Sequence, residues 1–519
     1  MFSSASRSAR RSRLALARAR HLSVATLLSA SPSPQDRGRT VLAASFFRPR
    51  YPNSLTLPAP TLLRQISLSA AVALVVSNMV GTGIFTTPGF LARDLGDPKL
   101  YFAIWFAGGV IALIGALCYS ELGINFPSSG GGYVFLTQAY GPVWGFMTGW
   151  TSFIAGFAAP VAATSLAFAD YTGYFFPVFK QSSIYWQAGS GLLSIQIGGA
   201  QILACATVGV VTIANIFGVQ RAAELQKVLT GIKLSVIAIF VLLGLSVGTG
   251  NWSNFALPAI RESTLPISSQ FAISLFYVYV SYSGWNAATY IAEELRDPVR
   301  NLPLALAIGT GIVTVLFLLL NLVFVYAAPL GAMKGVVAIG SLASSRLFGS
   351  QVAGLFSALI AIALLAMVNA LTTVGPRVVY AMARNGAFFA TAAKVDRHWR
   401  TPVPAILMQA IVAMLMTMTS LPSLFFFIGF TLNFFSVMSV ASLFRFRKRP
   451  GWKRLRPVSW LWPLQPLVFI LTGVWMTIFG LTLEPRIAIA ACALIGAGAL
   501  FYKRQLKGAA PWQSSSTAN

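Results

Sequence analysis

The sequence predicts an all-α membrane protein of about twelve transmembrane helices, with the first and the sixth discontinuous. Three observations carry this. Of 519 residues, 56% are hydrophobic and only 10% charged, at a mean hydropathy of +0.72. A soluble domain carries about 25% charged residues and has no means of covering so much apolar surface. Apolar runs of the ~20 residues that cross a bilayer recur from Leu68 to Phe501. Two of those runs are interrupted at mid-depth by polar stretches containing glycine.

In order, the spans read as 68–93, 101–124, 133–160, 200–218, 228–249, 268–292, 303–327, 351–380, 404–421, 423–444, 459–481 and 485–502. Residues 1–65, rich in Arg, Ser, Ala and Pro, hold eleven Arg and one Asp and no run long enough to span. That stretch reads as an organelle transit peptide, a disordered basic tail or an over-extended start. An even span count keeps both termini on one side. With the termini inside, the inside loops and C-terminus carry nineteen basic residues and the outside loops seven. This bias predicts cytoplasmic termini and explains the net charge of +26 without nucleic acid.

Cys118, Cys205 and Cys492 lie singly inside apolar runs and read as packing residues. The two histidines, His21 and His398, offer no metal set, and no cofactor is expected. No nucleophile–base pair stands at workable spacing, which argues against an enzyme. A channel lacks its ring of charges. With no GxxxxGKS loop, transport has to run on gradients or exchange.

The breaks are the informative feature. Span 1 is interrupted at Gly81-Thr82-Gly83 and span 6 at Ser281-Tyr282-Ser283-Gly284-Trp285-Asn286, about 200 residues apart. Irregular backbone at membrane depth survives only where it is buried in protein or lines a cavity. Paired breaks in corresponding positions point to two five-helix repeats with a binding site at the midplane. Amides around Gly81–Ile84 suit a carboxylate, with glycine allowing close approach. Carbonyls around Tyr282–Gly284 suit an ammonium, so the two breaks together suit a zwitterionic amino acid. A side chain added at Gly81 or Gly83 is then expected to hurt binding more than folding.

Lys233 lies inside span 5, and an intramembrane lysine is a functional candidate by default; snorkelling is the alternative. Thr372 and Thr373 in span 8 offer hydroxyls to a sodium ion. Glu121, Glu293 and Glu294 sit near inner span ends and read as inner ion pairs, with Arg221, Arg300 or Arg384 as partners. No other acid lies in the spans to meet a cationic side chain, which favours neutral substrates. Trp150, Asn369 and Asn433 are weaker candidates for the pocket lining.

The stretches VGTGIFTTPG (80–89) and YSGWNAATYIAEELRDPVRNLP (282–303) resemble signatures of the amino acid–polyamine–organocation (APC) transporter superfamily. The nearest likeness is to its L-type amino acid transporter branch and related bacterial amino acid permeases. ALCYSELGINFPSSGGGYVFL, PRVVYAMARNGAFF and TPVPAI match in the same order, so the resemblance covers about residues 66–500.

It implies a five-plus-five (LeuT-like) inverted-repeat fold with two extra C-terminal helices, working by alternating access. The repeats would run 66–250 and 251–446, followed by spans 11 and 12 in 447–505 and a tail at 506–519. By motif match, Gly81, Thr82, Gly83 and Ile84 bind the substrate carboxylate. Val280, Ser281, Tyr282, Ser283 and Gly284 bind its amino group.

Val280 stands where relatives often place an aromatic gate, which leaves Tyr279, Tyr282 or Trp285 to serve. The Lys233 ammonium would take the place of the cation that sodium-coupled relatives hold, bridging spans 1 and 8. Residues 171–199 lack the cysteine with which animal members hold a heavy-chain partner, so no disulfide-linked partner is expected. The expected function is secondary transport of neutral L-amino acids, proton-coupled or by exchange, in a plasma membrane of bacterial inner-membrane type. The alternatives are a polyamine or cationic amino acid permease, a non-transporting sensor, and an organelle membrane if the tail is a transit peptide.

Overall fold

The computed structural model describes residues 64–127, 130–189, 195–217, 219–384 and 388–506. The tail up to residue 63 and residues 507–519, to which the targeting and tail expectations apply, lie outside the described residues. Ser67 caps the first helix, α1 (Leu68–Met79), by accepting from Ala70 N. The chain bends by 41° across Val80-Gly81 into α2 (Thr82–Leu95). Asp97 accepts from Lys99 N and Leu100 N and, with Pro98 at the first position, starts α3 (Pro98–Asn125).

The expected third span, 133–160, is two elements. A short α4 (Gly132–Tyr140) ends at Gly141, whose φ of 101° favours glycine, and Pro142 then opens the longer α5 (Pro142–Thr172). A hairpin of β1 (Ile184–Ala188) and β2 (Ile195–Gly198), which the apolar pattern did not disclose, leads to α6 (Gly199–Phe217) and α7 (Val219–Ser246).

The second half opens with α8 (Ile267–Tyr282), which stops at the second break. A 3₁₀ stretch, Ala287–Glu294, follows before α9 (Pro298–Ala327). Two helices absent from the sequence reading, α10 (Leu330–Met333) and α11 (Ile339–Phe348), precede α12 (Ser350–Arg384). Then come α13 (Val403–Thr417), α14 (Leu421–Phe446), the one-turn α15 (Arg456–Trp460), α16 (Leu464–Leu483) and α17 (Pro485–Phe501).

By length and composition, eight of the described helices can each cross a membrane, or nine with the bent α1–α2 pair as one span. Thr230–Ser246 and Val403–Thr417 are shorter apolar helices. Apolar side chains stay exposed on one stripe of the outer helices, as at Ile202, Val210 and Ile213 of α6 and Leu407, Ile411 and Leu415 of α13. Lipid is the solvent that accommodates such stripes. Inside the bundle, glycines let helices close up: Gly108 and Gly109 of α3 face Val278 and Tyr282 of α8 and Thr314 of α9.

Candidate functional site

Both breaks form where the sequence placed them, and they lie against each other. Helix α1 ends at Val80 in extended conformation, and α2 begins from Gly81 with no side chain capping its first turn. The first N–H groups of a helix have no intrahelical partner, so the amides of Thr82, Gly83 and Ile84 form an uncapped, partially positive end. Helix α8 ends at Tyr282, with Ser283 N donating to Val280 O at 3.0 Å. Its other last-turn carbonyls form a partially negative end.

Close packing holds the ends together. A Cβ on Gly83 would overlap the Ser281 main chain and hydroxyl, and Thr87 Oγ1 lies 2.9 Å from Ser281 Oγ. Ser281 donates to Tyr277 O at 2.8 Å, so Thr87 is the donor of that pair. Gly284, at φ 99°, backs onto Asn78, whose carbonyl carbon and oxygen would lie 2.9 Å from an added Cβ. Only glycine meets both demands there. Thr82 Oγ1 is engaged by Thr164 Oγ1 of α5 at 2.6 Å, which leaves its amide rather than its hydroxyl for a ligand.

This geometry corrects one expectation. Gly83 is a contact point between broken helices, so enlarging it disturbs folding directly. Gly81 differs: its Cβ would meet only the flexible end of Met367, at 3.3 Å.

Lys233 is buried at 4% exposure, and its Nζ donates to Ser77 O at 2.9 Å and Val80 O at 2.6 Å. The side chain turns into the bundle, and the snorkelling alternative is excluded. Its ammonium satisfies the C-terminal carbonyls of α1, where a helix dipole favours a cation. On α12, Thr373 Oγ1 bonds Asn369 O at 2.8 Å and Asn215 Oδ1 at 2.7 Å, while Thr372 Oγ1 is buried without a hydrogen-bond partner among the described residues. Also among the described residues, no three His, Cys, Asp or Glu side chains gather as a metal site.

The aromatic gates point elsewhere. Tyr282 is buried and donates to Trp105 O at 3.0 Å, packing on Trp105 and Phe317. Trp285 is buried against Tyr119 and Phe469. Both rings meet α3, Tyr282 at Trp105 and Trp285 at Tyr119, although the backbone leaves helical geometry at Ser283 and Gly284 between them. Tyr279 donates to Ser436 Oγ of α14 at 2.7 Å.

Trp150 donates to Leu494 O at 3.1 Å and stacks on Phe501. Asn433 donates to Gly473 O at 2.9 Å. Both tie spans together instead of lining the break. Asn369 accepts from Asn215 Nδ2 at 3.0 Å, joining α12 to α6.

Glu121 is fully buried in an ion pair, but with Arg447, which the sequence reading did not select over Arg221, Arg300 or Arg384. Arg447 Nε and Nη2 reach its two oxygens at 2.6 and 2.5 Å, and Trp452 Nε1 and Leu455 N also donate to them. The side chain of Arg221 lies outside the described residues.

Glu293 and Glu294 are half-buried in the 3₁₀ stretch. Glu294 closes this end through its main chain: Ile66 N donates to Glu294 O and Arg296 N to Ile66 O, each at 3.0 Å. A parallel bridge thus clasps the start of span 1 to the end of span 6. Polar residues that the sequence reading missed are Asn78, Thr87 and Thr164. Asn78 alone had a signal, as an amide inside an apolar run.

Two broken helices with opposed free ends, one crossed by a buried lysine, accompany a match of residues 66–500 to the family model described as amino acid permease. The chain belongs to that family. The permease is 27% identical over 460 residues to the b(0,+)-type amino acid transporter 1 of Mus musculus, covering 87% of this chain and 89% of the relative. It is 28% identical over 451 residues to the large neutral amino acids transporter small subunit 2 of Homo sapiens, covering 85% and 80%. With the serine/threonine exchanger SteT of Bacillus subtilis it shares 29% over 417 residues, covering 79% and 89%. The permease is therefore a membrane-spanning amino acid transporter and not an enzyme.

Proposed function

We propose that the permease is a secondary active transporter of neutral L-amino acids, working by alternating access and driven by protons or by exchange. The observation that carries this is the opposition of the two free helix ends, the amides of Thr82–Ile84 and the last carbonyls of α8. The first fits a substrate carboxylate and the second its ammonium.

Neutral side chains are favoured because the buried carboxylates among the described residues, Asp94 and Glu121, are both taken by arginines. A cationic side chain would have no free buried acid to offset its desolvation. The relatives named for large neutral amino acids and for serine and threonine agree with this class. In this reading residues 66–250 and 251–446 are the two repeats, and both termini face the cytoplasm of a bacterial inner membrane. The permease works there without a disulfide-linked partner, and the main-chain clasp of Ile66 on Glu294 and Arg296 closes the inner side.

The deciding experiment is uptake and counterflow of a labelled amino acid panel by the reconstituted permease, with and without an inward proton gradient. Neutral amino acids are expected to exchange or accumulate. No movement of any amino acid in either format would overturn the assignment, and binding without counterflow would mark a sensor.

The glycines separate binding from folding. Gly81→Ala is expected to keep the thermal midpoint, since the Met367 thioether can shift, and to raise KM at least tenfold. Gly83→Ala is expected to lose about 1–3 kcal/mol of stability by overpacking on Ser281. A Gly81→Ala protein with wild-type KM would remove that position from the carboxylate site.

A further inference from the structure

The chain between α14 and α16 carries basic residues at 445, 447, 448, 449, 453, 454 and 456, and no acid occurs anywhere between Asp396 and Glu484. Three of these cations are engaged within the protein. Arg447 holds Glu121, Arg445 Nη1 donates to Ala139 O at 2.7 Å, and Arg449 donates to Gln138 O at 3.3 Å and lies over the Phe446 ring. Lys448, Lys453, Arg454 and Arg456 are exposed, and their side chains have no hydrogen bond or ion pair among the described residues.

This segment is held as a fixed piece. Glu121 accepts from Leu455 N at 3.1 Å, and Asn125 bonds both main-chain groups of Lys453 at 2.8 and 2.9 Å. Trp452 stacks flat on Phe446 with ring centroids 5.2 Å apart. Next to the free cations stands an apolar shoulder where the following span begins, with Trp460 83% and Leu464 57% exposed.

We propose that this segment is a binding site for anionic phospholipid, the headgroup phosphate seating among Lys448, Lys453, Arg454 and Arg456 and the acyl chains lying against Trp460 and Leu464. A sidedness signal needs only the charges and not a pinned loop. Pinning removes the ordering cost that flexible cations would carry on binding. Lysine and arginine clusters beside a span attract anionic lipid within a Debye length of the surface, and tryptophan suits the same depth.

The test is native mass spectrometry of the full chain equilibrated with phosphatidylcholine, with and without phosphatidylglycerol. Wild type is expected to retain phosphatidylglycerol over phosphatidylcholine. The variant Lys448→Gln/Lys453→Gln/Arg454→Gln/Arg456→Gln is expected to lose that retention by roughly fivefold or more, the scale set by several surface charges. The pair Lys453→Gln/Arg454→Gln, which leaves half the cations, is expected to fall between and covers poor folding of the full variant. Excess inorganic phosphate should leave the lipid bound. Equal retention of both lipids by wild type, unchanged retention in the variants, or displacement by phosphate alone would each overturn the assignment.

Discussion

Lys233→Ala is expected to abolish proton-driven accumulation in vesicles and to reduce counterflow exchange much less. The reason lies in what the ammonium holds. Its Nζ donates to Ser77 O and Val80 O, the carbonyls at the break of span 1. Without it, the buried Val80 carbonyl stands unsatisfied at about 1–3 kcal/mol and the half-buried Ser77 carbonyl loses its donor at a smaller cost. Since ~1.4 kcal/mol is a factor of ten in population, the break then shifts away from its present geometry. In the intact permease, a proton leaving and returning at this nitrogen would couple that geometry to the gradient. Lys233→Met keeps most of the volume and isolates the loss of the donor from the cavity. Accumulation at the wild-type level in either variant would remove Lys233 from the mechanism.

Arg447→Met is expected to cost about 3–5 kcal/mol, the usual effect of stripping one partner from a buried ion pair. Glu121 has no exposure, and Trp452 Nε1 and Leu455 N alone would remain to hold its charge. Thermal unfolding of the purified protein reads the loss. Glu121→Gln should cost less, because it leaves no buried anion and because Arg447 stacks 3.9 Å from the centre of the Trp462 ring. The double variant Glu121→Gln/Arg447→Met should recover most of the difference. If the two single losses simply add in the double variant, the pair is not coupled.

The sequence was most legible where the rule is severe. Backbone breaks at membrane depth are so costly that Gly81-Thr82-Gly83 and the stretch from Ser281 to Asn286 stood out as helix interruptions, and the helices do break in both stretches. The intramembrane lysine was legible for the same reason. Side-chain direction was not. Tyr282 and Trp285 carry the right chemistry for a gate, yet the last turn of α8 aims Tyr282 at α3, and the broken backbone after it brings Trp285 there as well. Partner choice was also hidden: Arg447 lies more than 300 residues from Glu121, and charge alone ranks it with a dozen other arginines. The strands Ile184–Ala188 and Ile195–Gly198 and the helices Leu330–Met333 and Ile339–Phe348 were missed because short elements outside the spans lack the long apolar period.

By itself, then, the sequence determined the solvent of this protein, its helical class, the positions of its two breaks and its family likeness. All of these follow from local chain chemistry: apolar length, glycine, and the cost of an unpaired amide in lipid. The tertiary structure alone decided that Gly83 is a packing contact while Gly81 stays open, and that Lys233 turns inward to the carbonyls of Ser77 and Val80. It also decided that Glu121 belongs to Arg447. Those outcomes depend on which helix faces lie together, and helix crossing is set by packing across hundreds of residues of chain, which no local pattern encodes.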